Sequence, residues 1–586
     1  MFKILKYMKA YEWVQAAFCV AFIVAQVFLD LRLPQYMHRI TLLVTEGGEV
    51  SEIWRQGGFM LTYALGSVVC AIFIIFFAAR IGASFSRRIR RLMFNKVESF
   101  SMEEINSFST ASLITRSTND VTQVQMVVIM VFQTAIRAPI AATWAFSQIS
   151  GSNAAWTSAV AVAIGIMVIM TVVIILIVMP KFKLMQEMTD DLTRVTRENL
   201  TGLRVVRAYN AEDFQEGKFD KANEAITDTQ LFTSRAMASV MPMMNIIFTC
   251  LPLVIYWTGA HIINDAGYAY RNALFGDLMV FTTYAMHIVM SFMMLAMMFV
   301  FLPRGSVSAK RINEVLDAKP SIVDGSAVKG LEGVIGEVEF RDVSFKYPGS
   351  ADYVLRNVSF TAKQGETVAF IGSTGSGKTT LVSLVPRFYD VTEGAVFVNG
   401  VNVKEYKLEA LYNALGYVPQ KAVLLKGSVN SNVAFGDNGK HDGIDEDCVK
   451  KAVKVAQGAE FVEKMEEKYQ AEISQGGANI SGGQKQRLSI ARAVYRQPQV
   501  YIFDDTFSAL DYKTDRQLRS TLKQETAGVT SLIVAQRIGT IMDADQIIVL
   551  DEGRVVGKGT HRELLETCGV YREIAESSMS EEELAI

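Results

Sequence analysis

The sequence is poor in the features that mark nucleic-acid-binding, redox or metal-dependent proteins. Its 58 basic and 60 acidic residues nearly cancel, leaving a net charge of −2. There is no basic surplus to neutralise a phosphate backbone, so nucleic acid is not an expected partner. The five cysteines (Cys19, Cys70, Cys250, Cys448 and Cys568) follow no metal-ligand or redox spacing. Three of them lie in apolar runs, where they are expected to pack as small hydrophobes. Met1 to Lys9 is basic, but no small-residue cleavage site follows the apolar run after it, so no cleaved signal peptide is expected.

What the chain has in excess is apolar length. Half of its 586 residues are hydrophobic, more than one core needs, so several domains are expected. Mean hydropathy is +0.22, and the excess sits almost entirely before Arg304. Six long runs account for it: Trp13–Leu29, extending toward Pro34; Phe59–Ala79; about 121–151, with Arg137 as its one charge; Gly151–Pro180; Ala236–Asn264; and Leu278–Pro303. Each reaches the roughly 20 residues that cross about 30 Å of hydrocarbon. Six buried helices of a soluble domain are the alternative, which this many uninterrupted runs disfavour.

Charge placement orients the runs. Lys3, Lys6 and Lys9 precede the first. Arg80, Arg87, Arg88, Arg90, Arg91 and Lys96 follow the second, and Lys181 and Lys183 follow the fourth. By the positive-inside rule the N-terminus and the segments 80–120 and 181–235 are cytoplasmic. Six spans then return the chain to the cytoplasm at Arg304. The two long cytoplasmic segments read as continuations of the membrane helices, with tips expected near Phe108–Arg116 and Leu203–Asp213. The expected layout is a six-helix membrane domain over 1–304, a linker over 305–335, a nucleotide-binding domain over 336–575 and a frayed acidic tail over 576–586.

Two features of the spans carry two readings each. Arg137 lies mid-span, where an unpaired charge is costly, so it should face the interior or a wet cavity; it either contacts substrate or a gate, or makes an interhelical pair. Pro139 beside it is expected to kink that helix. Met286, Met290, Met293, Met294, Met297 and Met298, many of them three or four residues apart, suit a tolerant apolar surface or simple packing.

The second half is organised around Gly372-Ser373-Thr374-Gly375-Ser376-Gly377-Lys378-Thr379, followed by Thr380. Every fixed position of the phosphate-binding loop pattern is present. A short apolar strand, Glu366–Ile371, precedes it, and a helix that stops at Pro386 follows. The glycines let backbone N–H groups face an anion, and the helix N-terminus adds partial positive charge. Lys378 is expected to reach the β- and γ-phosphates of ATP and Thr379 to bind Mg²⁺. Alternation in Glu337–Phe345 predicts a half-buried antiparallel strand, and alternating strands and helices to about residue 560 predict an α/β domain.

The stretch Ile480-Ser481-Gly482-Gly483-Gln484 closely resembles the signature of ATP-binding cassette proteins, with isoleucine in place of leucine at its first position. Six spans followed by one cassette is similar to an ABC exporter half-transporter, and Glu198–Tyr209 looks like that family's second intracellular loop. The resemblance implies roles for further residues. Tyr347 would stack on adenine. Gln420 would contact Mg²⁺ and sense the membrane domain, and Asp504, which ends the apolar strand from Val500, would hold Mg²⁺ through water. Ser508–Asp511 would form the loop that crosses the dimer interface, and Ser481, Gly482, Gly483 and Gln484 would serve the partner's ATP. The methionine-rich sixth span would line a translocation path.

Two positions depart from the family's pattern. Asp505 stands where a glutamate general base is expected, and Gln536 stands where a histidine is expected. No histidine occurs between His441 and His561, so no shift of register supplies one. A misplacement of about 1 Å costs on the order of 10²-fold, and a general base contributes roughly 10²–10⁴-fold. Binding of ATP and Mg²⁺ is therefore expected to survive and hydrolysis at this site to be weak. The expectation is one subunit of an asymmetric heterodimer with a second, non-identical half-transporter. It would sit in the cell membrane among lipid and export small-molecule, lipid or peptide substrates. An importer or lipid flippase of the same fold, and an ATP-gated channel or regulatory subunit, are the alternatives.

Overall fold

The computed structural model describes residues 2–150, 153–267, 270–436, 443–508 and 512–578. The chain divides into two compact units, one formed by Met1–Glu98 with Thr110–Ala318 and the other by Ser99–Ser109 with Lys319–Ile586.

The first unit is helical. Its elements are α1 (Ala10–Thr45), α2 (Val50–Glu98), α4 (Thr110–Thr115), α5 (Val121–Met130), α6 (Arg137–Ile149), α7 (Ala154–Thr201), α8 (Leu203–Ala208), α9 (Glu212–Ala238), α10 (Val240–Asp265) and α11 (Arg271–Asp317); α3 (Met102–Phe108) belongs to the second unit. Among the described residues, six stretches are long and apolar enough to cross a membrane: Ala10–Thr45, Val50–Glu98, Thr110–Ile149, Ala154–Thr201, Glu212–Asp265 and Arg271–Ala296. Helices satisfy every backbone group internally, as hydrocarbon requires. The third of these stretches is not uniform, because π-helical turns at Arg116–Asp120 and Val131–Ala135 interrupt it. Close packing depends on small residues: a Cβ on Gly305 would lie 2.4 Å from a methyl of Val127.

At the start of α1 a fully buried carboxylate fixes the helix entry. Glu12 is paired with Arg88 of α2 at 2.7 Å and accepts from Ser84 at 2.7 Å. Residues 305–317, read from sequence as linker, extend α11 instead, and the helix ends at Asp317.

The second unit contains β1 (Val338–Phe345), β2 (Leu355–Ala362), β3 (Thr367–Gly372), β4 (Glu393–Val398), β5 (Val401–Asn402), β6 (Leu415–Val418), β7 (Gly427–Ser428), β8 (Glu472–Ile473), β9 (Val500–Asp504), β10 (Thr530–Val534), β11 (Gln546–Asp551) and β12 (Arg554–Gly559). One sheet has the order β2-β1-β4-β5 and is antiparallel. A second has the order β12-β11-β3-β10-β9-β6 and is parallel except for the edge pair β11–β12. Strands β3 and β9 are buried on both faces, which explains their unbroken apolar sequences. The C-terminal ends of the parallel strands form the edge where such sheets bind ligands.

The first tip differs from the sequence expectation. It is α3, not Phe108–Arg116: Ser101 and Glu104 form a capping box that starts the helix, and Ser109, at φ 59°, ends it. The α3 helix lies against the cassette. Asn106 donates to the Tyr389 hydroxyl at 3.0 Å, and Glu104 accepts from the Ser321 backbone at 2.9 Å. Burial opposes ionisation of Glu104, but hydrogen bonds from Ser101 and Ser321 outweigh it and hold its carboxyl below the ordinary value. The second tip is α8, within the expected range.

Candidate nucleotide site

Residues Gly372 to Gly377 turn the chain from β3 into α12 (Lys378–Leu384). Gly375 and Gly377 adopt φ of 87° and 96°, conformations that a side chain would strain. Ser373, Thr374 and Gly375 form an exposed crest, while Ser376 and Gly377 are buried beneath it. Nothing lies within 4 Å of where a Cβ on Gly375 would stand, so the crest is open to an approaching group.

Lys378 curls back over this loop. Its Nζ donates to the carbonyl oxygens of Gly372 (2.9 Å) and Ser373 (2.8 Å) and to Ser376 Oγ (3.3 Å). Burial lowers its pKa, against the opposing pull of Asp505 and Asp504. Thr379 Oγ1 donates to Asp504 Oδ1 at 2.8 Å, which brings together a hydroxyl and the carboxylate at the end of β9. Asp504 is 2% exposed, and burial raises its pKa. A buried lysine, a hydroxyl and a buried carboxylate around an open glycine crest fit a nucleotide triphosphate with Mg²⁺. Mg²⁺ bound there would neutralise phosphate charge, and Thr379 and Asp504 would hold it.

Asp505 follows at φ 47°, a left-handed conformation. Its Oδ2 accepts two amide donors, Gln420 Nε2 at 3.0 Å and Gln536 Nε2 at 2.7 Å. Burial raises the Asp505 pKa as well. Gln420 and Gln536 thus converge on the shortened carboxylate, each from the position that the sequence assigned it.

Tyr347 stands at the other end of the site. Its hydroxyl shares a hydrogen bond with Thr380 Oγ1 (2.9 Å), and its ring meets Tyr389 edge-on at 5.2 Å. A cavity of about 240 Å³ opens beside it, lined among others by Tyr347, Tyr389, Phe388 and Glu103 of the tip.

The model of the ABC transporter family matches residues 355–508, and that of the ABC transporter transmembrane region matches residues 16–292. An uncharacterized ABC transporter ATP-binding protein of Mycobacterium tuberculosis is 39% identical over 531 residues, 90% of each chain. The chain belongs to the ABC transporter family. A Bacillus subtilis protein described in the same words is 32% identical over 99% of both chains. The ATP-dependent lipid A-core flippase of Pseudomonas aeruginosa is 32% identical over 86% of this chain and 82% of its own. In fold, the chain superposes on a bacterial Atm1-family ABC exporter with ATP bound, at a TM-score of 0.78, 24% identity and coverage of 98% of this chain and 100% of that one. This ABC transporter has the exporter-type fold, and its family membership implies ATP hydrolysis coupled to transport.

In the ABC transporter's cassette the signature stands apart from the phosphate loop. Ser481 caps the helix Gly482–Tyr495, and Ser481 and Gln484 close a capping box. Ser481 and Gly482 are exposed, and Gly483 and Gln484 are half-buried. Ile480 packs on the core formed by Val418, Leu488 and Phe503, whereas the cluster under β1, β2 and α12 is separate. No hydrogen bond among the described residues joins the signature to the chain's own loop. Of the loop expected to cross the dimer interface, Ser508 donates to the Asp505 carbonyl at 2.9 Å. Residues 509–511 lie outside the described residues.

Sequence reasoning missed three residues. Tyr389 joins Tyr347 to the tip helix. Gln486, 3% exposed, donates to the Pro419 carbonyl at 3.3 Å and ties the signature helix to the Gln420 loop. Tyr417 is half-buried near Asp504, and burial and that carboxylate's charge raise its pKa. Only an aromatic or glutamine beside a recognised motif signals them in sequence, which is too common a pattern to single them out.

Proposed function

We propose that this transporter chain is one subunit of an asymmetric heterodimer that exports amphipathic substrates, and that its own nucleotide half-site holds Mg-ATP with little turnover. The observation that carries the reading is the double clamp on Asp505. Its Oδ2 is engaged by both Gln420 and Gln536, two neutral amides. A general base must present a free lone pair to water at hydrogen-bond reach, and here two donors already occupy one of the carboxylate's two oxygens and fix its orientation. This carboxylate is one methylene short of a glutamate and held back by the residue that stands in place of a histidine. Gln536 can neither take up a proton nor place a positive charge near a γ-phosphate.

The parts expected to bind nucleotide support the reading: Lys378, the loop Gly372–Gly377, Thr379 and Asp504 lie together, with Tyr347 at the other end of the site. The exposed, helix-capping Ser481 with Gly482, Gly483 and Gln484 is then the half that completes the partner's site. A homodimer would place Asp505 and Gln536 in both sites and leave no well-equipped catalytic centre.

The second tip supports a partner chain as well. Around α8, Leu200, Val205, Tyr209 and Phe214 are 67%, 61%, 79% and 72% exposed, a concentration of apolar surface on a segment expected in the cytoplasm. This surface is suited to the partner's cassette. A lipid-like substrate is favoured by the likeness to a lipid flippase. The experiment is photolabelling with an ATP analogue under turnover conditions. The reading expects this chain's site to stay occupied while the partner's exchanges, and equal exchange at both sites contradicts it.

A further inference from the structure

Arg137 opens α6 directly after the π-helical turn Val131–Ala135, where the Ile136 backbone N–H reaches the Val131 carbonyl at 3.0 Å. Such turns rotate the following side chains out of the helix's regular register and recur at functional sites. Here the side chain so placed is the one charge between Val121 and Ile149. Its Nη2 donates to Asp30 Oδ2 of α1 at 3.1 Å. Asp30 is otherwise occupied, since its Oδ1 accepts from Ser67 of α2 at 2.5 Å. Helix α11 reaches the same level, since the Tyr284 hydroxyl donates to the carbonyl of Leu31, the neighbour of Asp30, at 2.8 Å, and His287 follows one turn on. Four helices therefore bring polar side chains to one place in an apolar bundle.

The cluster is unbalanced in donors. Both Asp30 oxygens are engaged. A guanidinium carries five N–H donors, and the described hydrogen bonds of Arg137 use one. The pair is also open, with the Arg137 and Asp30 side chains 35% and 21% exposed. An interhelical pair that served packing alone would be saturated and closed, because an unspent donor in hydrocarbon is costly. Met290 and Met294, each 37% exposed, follow His287 at i+3 and i+7 on one face of α11 and offer polarizable apolar surface beside it.

We propose that Arg137, with Asp30 as its counter-charge, is the headgroup subsite for an anionic amphiphile: an alkyl chain ending in a phosphate monoester or carboxylate. The anion takes the unspent donors of the fork, and the Met290–Met294 face takes the chain. The proposal narrows the substrate class of the transport reading and rests on that reading, but not on the asymmetry of the nucleotide sites.

The test uses the co-expressed complex in nanodiscs of zwitterionic lipid, with radiolabelled dodecyl phosphate as the probe and empty discs subtracted. The wild type should bind it saturably, and Arg137→Gln should weaken binding at least 10-fold. Asp30→Asn should tighten binding several-fold, because it removes the carboxylate that competes for the guanidinium. Opposite signs for the two halves of one ion pair are what a purely structural pair would not give. Inorganic phosphate and dodecyltrimethylammonium should not compete. Should Arg137→Gln fail to fold, the Asp30→Asn arm decides alone. The subsite is overturned if Arg137→Gln binds like wild type, if Asp30→Asn fails to tighten binding, or if either competitor displaces the probe. ATP photolabelling of the same samples separates this outcome from failure of the transport reading, since that reading stands if labelling persists while probe binding is lost.

Discussion

Replacing Lys378 by alanine removes the donor that now satisfies the carbonyl oxygens of Gly372 and Ser373 and the Ser376 hydroxyl. When nucleotide binds, the same ammonium is expected to turn to phosphate oxygens. Hydrogen bonds to charged groups contribute about 1.5–3 kcal/mol each, so two such contacts are worth roughly 3–6 kcal/mol, or on the order of 10²–10⁴ in affinity. Burial lowers the lysine's pKa, and phosphate charge would oppose that shift, so the interaction should strengthen on binding. The assay is photolabelling of this chain with a reactive ATP analogue across a concentration series. Lys378→Ala should need at least 10²-fold more analogue for half-labelling, while Lys378→Arg, which keeps the charge, should lose less. Labelling of Lys378→Ala at wild-type concentrations would refute the assignment of this loop.

Other expectations follow from single contacts. Glu12→Ala leaves the Arg88 guanidinium, 16% exposed, without its carboxylate. Breaking a buried pair costs about 3–5 kcal/mol, so the melting temperature should fall by several degrees, and an unchanged value would contradict the role given to this pair. Ser481→Ala removes the cap of the helix Gly482–Tyr495 at a cost of about 1 kcal/mol, yet should abolish turnover in the complex by disabling the partner's site; retained turnover would place the competent site elsewhere. Because hydrogen bonds depress the Glu104 pKa in the folded state, its contribution to docking of α3 is present above the ordinary value of 4.5 and lost as pH falls through the lower folded value. Amide-exchange protection of α3 should therefore hold down to pH 4.5 and decline only below it, and a decline centred above that value would be the wrong sign. A photo-crosslinking residue at Tyr209 should yield an adduct with the partner chain, and adducts within this chain alone would argue against a cross-chain contact.

Much of this was legible in the sequence because hydrophobic length and phosphate-loop chemistry leave few alternatives. The runs around Phe59–Ala79 and Gly151–Pro180 could only be long helices, and Gly372–Thr379 only a loop between strand and helix. The pairing of Thr379 with Asp504 followed from their motifs. What was not legible depends on contacts between distant segments. The first tip was misplaced because the only local signal for it is the Ser101–Glu104 capping box, and its contacts are to the distant Ser321 and Tyr389. The segment 305–317 reads as polar linker, yet it is held as helix through packed side chains such as Ala309 and Ile312. Asp505 and Gln536 were visible as departures, but the hydrogen bonds from both Gln420 and Gln536 to one carboxylate oxygen needed three strands in place. Arg137 was visible as a costly charge, while its partner Asp30, 107 residues earlier, was not.

The asymmetry of the two nucleotide sites is tested most directly by ATPase rates of the co-expressed complex bearing one neutralised carboxylate at a time. Asp505→Asn in this chain should change turnover less than about 3-fold, whereas neutralising the corresponding glutamate of the partner should reduce it by roughly 10²-fold or more. Loss of turnover from Asp505→Asn alone, or brisk hydrolysis by this chain purified without a partner, would contradict the account.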